Sequence, residues 1–156
     1  MQINTLDTHQ IFDNVLVQLA ELCVYAQKRQ ERFGGWAVFP DLDTYIREFQ
    51  TIRISSPRQC GKTSWIAKNI KSDWMVITPQ FFKDSMVTNV HSFNERTDNV
   101  IYSGKELHKV DWSINKINTI ILESADFVFD EVSRKQFYKL VASQGYNPNL
   151  RVILFN

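Results

Sequence analysis

The decapeptide SSPRQCGKTS, residues 55–64, carries the most pointed chemistry in the chain. Its second half, Gly61-Lys62-Thr63, matches the end of the pattern G-x-x-x-x-G-K-[ST], whose backbone cradles phosphate groups. Backbone N–H groups of such a loop, and of the helix it opens, point inward and bind phosphate oxygens. Lys62 would reach the β- and γ-phosphates, and the Thr63 hydroxyl would ligate Mg²⁺. Gly61 permits close backbone approach. Ser56 stands where the first glycine of the pattern belongs, and Pro57 stiffens the turn. Arg58 adds a fixed positive charge inside the loop, where it would meet a γ-phosphate from the same chain. Gln59, Cys60 and Ser64 complete the nucleotide-binding set of Ser56 to Ser64, with Cys60 read as a small loop residue.

A phosphate loop works only between a strand and a helix, and the flanking sequence predicts both. TIRIS, residues 51–55, reads as a short strand running into the loop. Trp65, Ile66 and Ile70 form an apolar stripe after it, which predicts a helix through about Ile70. Upstream, Ile11, Val15, Leu16, Leu19, Leu22 and Cys23 recur at helical spacing and predict a helix over 7–30, with Asp7 or Thr8 as its cap. That helix offers a partner surface, although packing of its apolar face on the core is the plainer reading. Gly34, Gly35 and Pro40 interrupt the pattern before a second short helix in DLDTYIREFQ. Downstream, DWMVITP reads as a strand and QFFKDSMVT as a short helix or turn. NVIYSG reads as an edge strand or half a hairpin, in the poorly patterned stretch 86–117. NTIILE is a strand buried on both faces. Residues 130–143 read as a helix, and RVILF as a final buried strand. Strands alternating with helices predict an α/β domain, a parallel sheet with helices on both faces. The whole chain, 1–156, reads as one domain, with an N-terminal helical region over 1–50 and a nucleotide-binding core over 51–156.

SPRQCGKT resembles the variant phosphate loop of large terminase subunits, the ATP-driven DNA-packaging motors of tailed phages. That family often has Arg-Gln two residues before Gly-Lys-[ST] and lacks the first glycine. DTYIREFQTIRISS is similar to the family's lead-in, and the resemblance covers roughly residues 41–156. It implies a P-loop NTPase core of the ASCE-like type, ATP with Mg²⁺ as ligand, and Arg58 acting in cis. TIILESADF resembles the segment in which the family's apolar strand ends in Asp-Glu-Ala. Aligned so, Glu123 takes the metal-site acid position beside Thr63, and Ser124 replaces the catalytic glutamate. Serine is no comparable base, which leaves Asp126 and Glu131 as substitutes. A second frame, FVFDEV, ends an apolar run on Asp130-Glu131. The first frame is preferred because NTIILE is the purer buried strand and Asp130 suits a helix start. RVILFN falls where the family has its coupling strand, so Asn156 is either a γ-phosphate sensor or a fraying last residue.

The bulk numbers exclude several classes. Basic and acidic residues number 18 and 17, a net charge of +1, so no global field points to nucleic acid or an anionic membrane. Cys23 and Cys60 fit neither a metal spacing nor a disulfide framework and read as free thiols. No signal peptide and no membrane-length apolar run are present, so the cytoplasm is expected, that of the host for a phage-encoded chain. The expected function is therefore nucleoside-triphosphate binding by an ATPase module. DNA, other packaging-motor or phage proteins and further copies of the chain are the partners the resemblance implies. A nucleotide-binding regulator with little or no hydrolysis is the runner-up, favoured by Ser124. A small-molecule phosphotransferase ranks last, because no arginine-rich lid is seen.

Overall fold

A computed structural model of the chain describes residues 5–57, 60–93, 100–112 and 117–156. Five strands, β1 (Thr51–Ile54), β2 (Trp74–Thr78), β3 (Ile101–Ser103), β4 (Thr119–Leu122) and β5 (Arg151–Phe155), form one all-parallel sheet. Its order is β1-β5-β4-β2-β3. The helices are α1 (Thr5–Glu31), α2 (Leu42–Phe49), α3 (Lys62–Asn69), α4 (Lys83–His91), α5 (Ala125–Glu131) and α6 (Arg134–Ala142).

Strand periodicity sorts the core into two layers. Met75, Ile77, Ile120, Leu122, Val152 and Leu154 face α2, α5 and α6 through Ile46, Val128 and Phe137. Their neighbours Val76, Ile121, Ile153 and Phe155 face α1, α3 and α4 through Phe12, Leu16, Ile66 and Met86. Right-handed crossovers explain the division. The chain moves from β1 through β2 to the β3 edge with α3 and α4 on one face. It returns through β4 to β5 with α5 and α6 on the other. Both faces are covered, as a parallel sheet requires.

Local chemistry sets several boundaries. Asp41 caps α2 by accepting the Thr44 N–H at 2.8 Å, and Ser133 caps α6 by accepting the Gln136 N–H at 3.1 Å. The Ser133 cap corrects the single helix expected over 130–143. α5 ends at Glu131, Val132 is extended, and a new helix starts after Ser133. Asp130 therefore starts no helix. FVFDEV lies within and just beyond α5 and forms no strand, which removes the frame that placed the acid at Asp130-Glu131. NVIYSG contributes a parallel edge strand, not a hairpin arm. Thr5 is already helical, so α1 contains Asp7 and Thr8 instead of starting at them.

A capping box joins β3 to the 3₁₀ helix Gly104–Lys109. Glu106 Oε2 accepts the Ser103 N–H at 2.8 Å and an ammonium proton of Lys83, on α4, at 2.7 Å. The Lys83 hydrogen bond, then that of Ser103, holds the Glu106 carboxyl below its ordinary value. A depressed carboxylate contributes stability present above its unfolded value and lost as pH falls through the folded one. In urea titrations at stepped pH, wild type is thus expected to exceed Glu106→Gln most clearly at neutral pH. That advantage should shrink as pH drops below the ordinary glutamate value of 4.5. A gap independent of pH would assign the difference to packing.

Candidate functional site

β1 delivers the loop to the carboxyl edge of the sheet, where ligands of open parallel sheets collect. Gly61 adopts φ +84°, a left-handed conformation, and precedes Lys62, the first residue of α3. Its carbonyl accepts the Trp65 N–H at 2.9 Å, which starts the helix. Gly61 has no side chain to cap α3, and among the described residues none does so, leaving its first-turn N–H groups to the cleft above them. That cleft, of ≈ 370 Å³, is lined by Pro57, Cys60, Gly61, Lys62, Thr63, Ser64 and Asn89 of α4. Arg58 and Gln59 lie outside the described residues.

Lys62 extends toward β4. Its Nζ lies 3.7 Å from Glu123 Oε1, and the two side chains are 19% and 4% exposed. Glu123 directly follows β4, and its N–H donates to Ile77 O at 2.9 Å. Its Oε1 also accepts the Ser124 hydroxyl at 3.1 Å, while Oε2 is buried with no hydrogen-bond partner among the described residues. Ser124 turns the chain from strand to helix with φ 56° and ψ 57°, the one positive φ at a non-glycine among the described residues. Such conformations cost energy and concentrate at functional sites.

Asn156 ties this edge together, which excludes the fraying alternative for it. Its N–H donates to Ile54 O at 3.0 Å, its C=O accepts the Ser56 N–H at 3.0 Å, and its Oδ1 accepts the Asp126 N–H at 3.2 Å. One residue after β5 thus fastens both the start of the loop and the start of α5. Ser56 is held by its backbone, and its Oγ is buried without a partner among the described residues.

The two substitute carboxylates stand apart from the Lys62–Glu123 pair in their contacts. Asp126 is exposed and lies 3.7 Å from Arg134. Glu131 Oε1 accepts the Gln80 N–H at 2.6 Å and anchors the turn after β2. Its Oε2 is buried beside Gly104, where a Cβ would come within 2.9 Å of it.

Sequence reasoning missed four participants. Asn89 reaches the cleft because α4 packs beside α3. Thr8 and His9 bring α1 against the loop: a Cβ on Gly61 would lie 3.4 Å from Thr8 Oγ1 and 3.9 Å from His9 Nε2. Asp13 secures that approach by accepting the Trp65 indole N–H at 2.8 Å. No periodicity or motif signals contacts between elements this far apart in sequence.

Among the described residues no three His, Cys, Asp or Glu gather as a metal cluster, and no helix is long and apolar enough to cross a membrane. Comparison with protein-family models, curated proteins and solved structures returns no match.

Proposed function

We propose that the chain binds a nucleoside triphosphate, ATP in the first instance, at a P-loop NTPase site built on the loop after β1, and that it hydrolyses the nucleotide slowly or not at all by itself. The observation that carries the reading is the meeting of Lys62 and Glu123. They come from the carboxyl ends of β1 and β4, two strands separated by β5, and stand beside an uncapped helix start. A buried lysine–carboxylate pair with an unpartnered oxygen is costly as a purely structural device. It suits a site in which the lysine turns to a phosphate. Parallel strands of order β1-β5-β4 put loop, acid and Asn156 on one rim, in keeping with an ASCE-like core.

Mg²⁺ fits these residues. It takes oxygen ligands and keeps most of its shell as water and phosphate. Glu123, whose Oε2 is buried and unpartnered, and the Thr63 hydroxyl would hold it. Bound there, it would neutralise phosphate charge. Lys62, the Gly61–Ser64 backbone and Asn89 would bind and orient the phosphates.

Ser124 favours a nucleotide-binding regulator over a fast motor. Its short hydroxyl is hydrogen-bonded to Glu123 and cannot serve as a carboxylate base. The terminase resemblance supports an assembly role, with DNA or packaging proteins as partners. Titration calorimetry with ATP and GTP, each with and without Mg²⁺, tests the binding claim. Saturable, Mg²⁺-dependent heat from at least one triphosphate is expected. Silence for both at millimolar ligand ends the reading.

A further inference from the structure

We propose that a cavity at the amino edge of the sheet is a second ligand site, one that takes a small aromatic carboxylate. The inference is independent of the nucleotide reading, because the phosphate loop lies at the opposite, carboxyl edge. The cavity measures ≈ 620 Å³, the size of a small-molecule pocket. It opens between α1 and α3, over the face of the sheet that those helices cover.

The lining divides into an apolar body and a polar end. Ile52 and Ile153, register partners on β1 and β5, form an apolar floor, with Ala20 of α1 and Trp65 of α3 as walls. Trp74, Thr119 and Arg151 are the first residues of β2, β4 and β5 and lie side by side in register. Strand alternation puts all three on the face of Val76, Ile121 and Ile153, toward the cavity. The Trp65 and Trp74 rings stand 6.1 Å apart at 36°. Two indoles beside one apolar floor favour a flat aromatic body, which packs offset or edge-to-face against them.

Charge sets the other half of the ligand. The acids on the lining are engaged by the protein. Asp13 accepts the Trp65 indole N–H at 2.8 Å, and Asp73 accepts the Asn118 amide N–H at 3.0 Å. The cations on the lining, Lys71 and Arg151, form no salt bridge among the described residues, and at the amino edge they outnumber Asp73. Arg151 donates from Nη1 to the neutral carbonyls of Pro148 and Leu150 and keeps Nε and Nη2 unspent. Burial pulls its guanidinium below the ordinary value, as expected of a cation short of counter-charge. The fork of a guanidinium matches a carboxylate, and the Thr119 hydroxyl stands in register beside it as a further donor. A ligand with its ring on the indoles and its carboxylate on Arg151 and Thr119 satisfies both ends of the cavity.

Titration calorimetry on the full chain with 2-naphthoate tests the proposal, with 2-naphthamide as the uncharged ring and octanoate as the carboxylate without a ring. 2-Naphthoate is expected to saturate a single site. 2-Naphthamide should bind about 10-fold more weakly, having lost the charge-assisted hydrogen bonds. Octanoate should bind roughly 5-fold more weakly, having lost the aromatic contacts. In proton–nitrogen correlation spectra, 2-naphthoate should shift the indole signals of Trp65 and Trp74 and leave those of Trp36 and Trp112 in place. Arg151→Gln should erase the preference for 2-naphthoate over 2-naphthamide. Because Arg151 also holds the turn before β5, circular dichroism checks the fold of that variant. Thr119→Val leaves the turn intact and should weaken 2-naphthoate without weakening 2-naphthamide. No heat from 2-naphthoate at millimolar ligand, equal affinity for the amide or for octanoate, or shifts that spare Trp65 and Trp74 overturns the proposal.

Discussion

Replacing Lys62 with alanine is expected to weaken triphosphate binding by about 10- to 150-fold, the loss of a charge-assisted hydrogen bond of roughly 1.5–3 kcal/mol. The same change strands Glu123, whose side chain is 4% exposed and pairs with Lys62 at 3.7 Å. An uncompensated buried charge destabilises the fold, so urea titration should show a lower midpoint for Lys62→Ala. The two effects are separable. In Lys62→Ala/Glu123→Gln the buried charge is gone, and the midpoint should return toward wild type. Binding should stay weak, because the phosphate contact and the Mg²⁺ carboxylate are both missing. Calorimetry on wild type and both variants checks this. Wild-type affinity in Lys62→Ala, or recovery of binding with stability in the double variant, would leave Lys62 a structural partner of Glu123 only.

How far the sequence foretells this site depends on how local each feature is. The strand Thr51–Ile54 and the helix Lys62–Asn69 follow from apolar spacing and Gly61, and they are where the sequence predicts them. The burial of β4 follows from an unbroken apolar run that ends on Glu123. Strand order is another matter. Nothing within RVILF says that β5 inserts between β1 and β4, yet that insertion lets Asn156 bridge the loop and α5. The break at Val132 was hidden because FVFDEV and RKQFYKLVA both carry apolar residues at compatible spacing, and the Ser133 cap outweighs that continuity. Ser124 was legible as a missing carboxylate, but its left-handed backbone was not, since serine has no strong preference for that conformation. The periodicity of α1 predicts a single apolar face, and the structure divides it: Leu16, Leu19 and Cys23 pack on the core, whereas Ile11, Val15 and Leu22 are exposed. The division is decided by the fit of Phe12 between Trp65 and Phe155, with ring centroids 6.0 and 5.8 Å away.

Hydrolysis by the wild-type chain is expected to be slow or absent, and Ser124→Glu is expected to raise it by about 10²- to 10⁴-fold, the usual worth of a positioned general base. The geometry motivates the choice of position. Ser124 directly follows the candidate metal-site acid on the rim of the sheet, and its hydroxyl is 3.1 Å from Glu123 Oε1. Its left-handed backbone is already present with a side chain attached, so glutamate there brings little added backbone strain. The new carboxylate would sit near Glu123, a like charge, and Lys62 at 3.7 Å from Glu123 moderates that repulsion. Two controls isolate the base. Ser124→Gln has the size without the basicity and should not accelerate the reaction. Ser124→Ala removes only the hydrogen bond to Glu123 and should leave the slow rate in place. Steady-state phosphate release, with ATP and Mg²⁺ saturating, is the measurement. Wild type turning over at about 1 s⁻¹ or faster, the low end of ordinary enzyme rates, would mean that another carboxylate already orients the water. Glu131 would then be tested first, because its Oε2 is buried and unpartnered, and Asp126 second, because it is exposed and 3.7 Å from Arg134. If Ser124→Glu binds ATP as wild type does and gains no rate, the slow turnover has a different origin, and a base supplied by a partner chain becomes the reading to pursue.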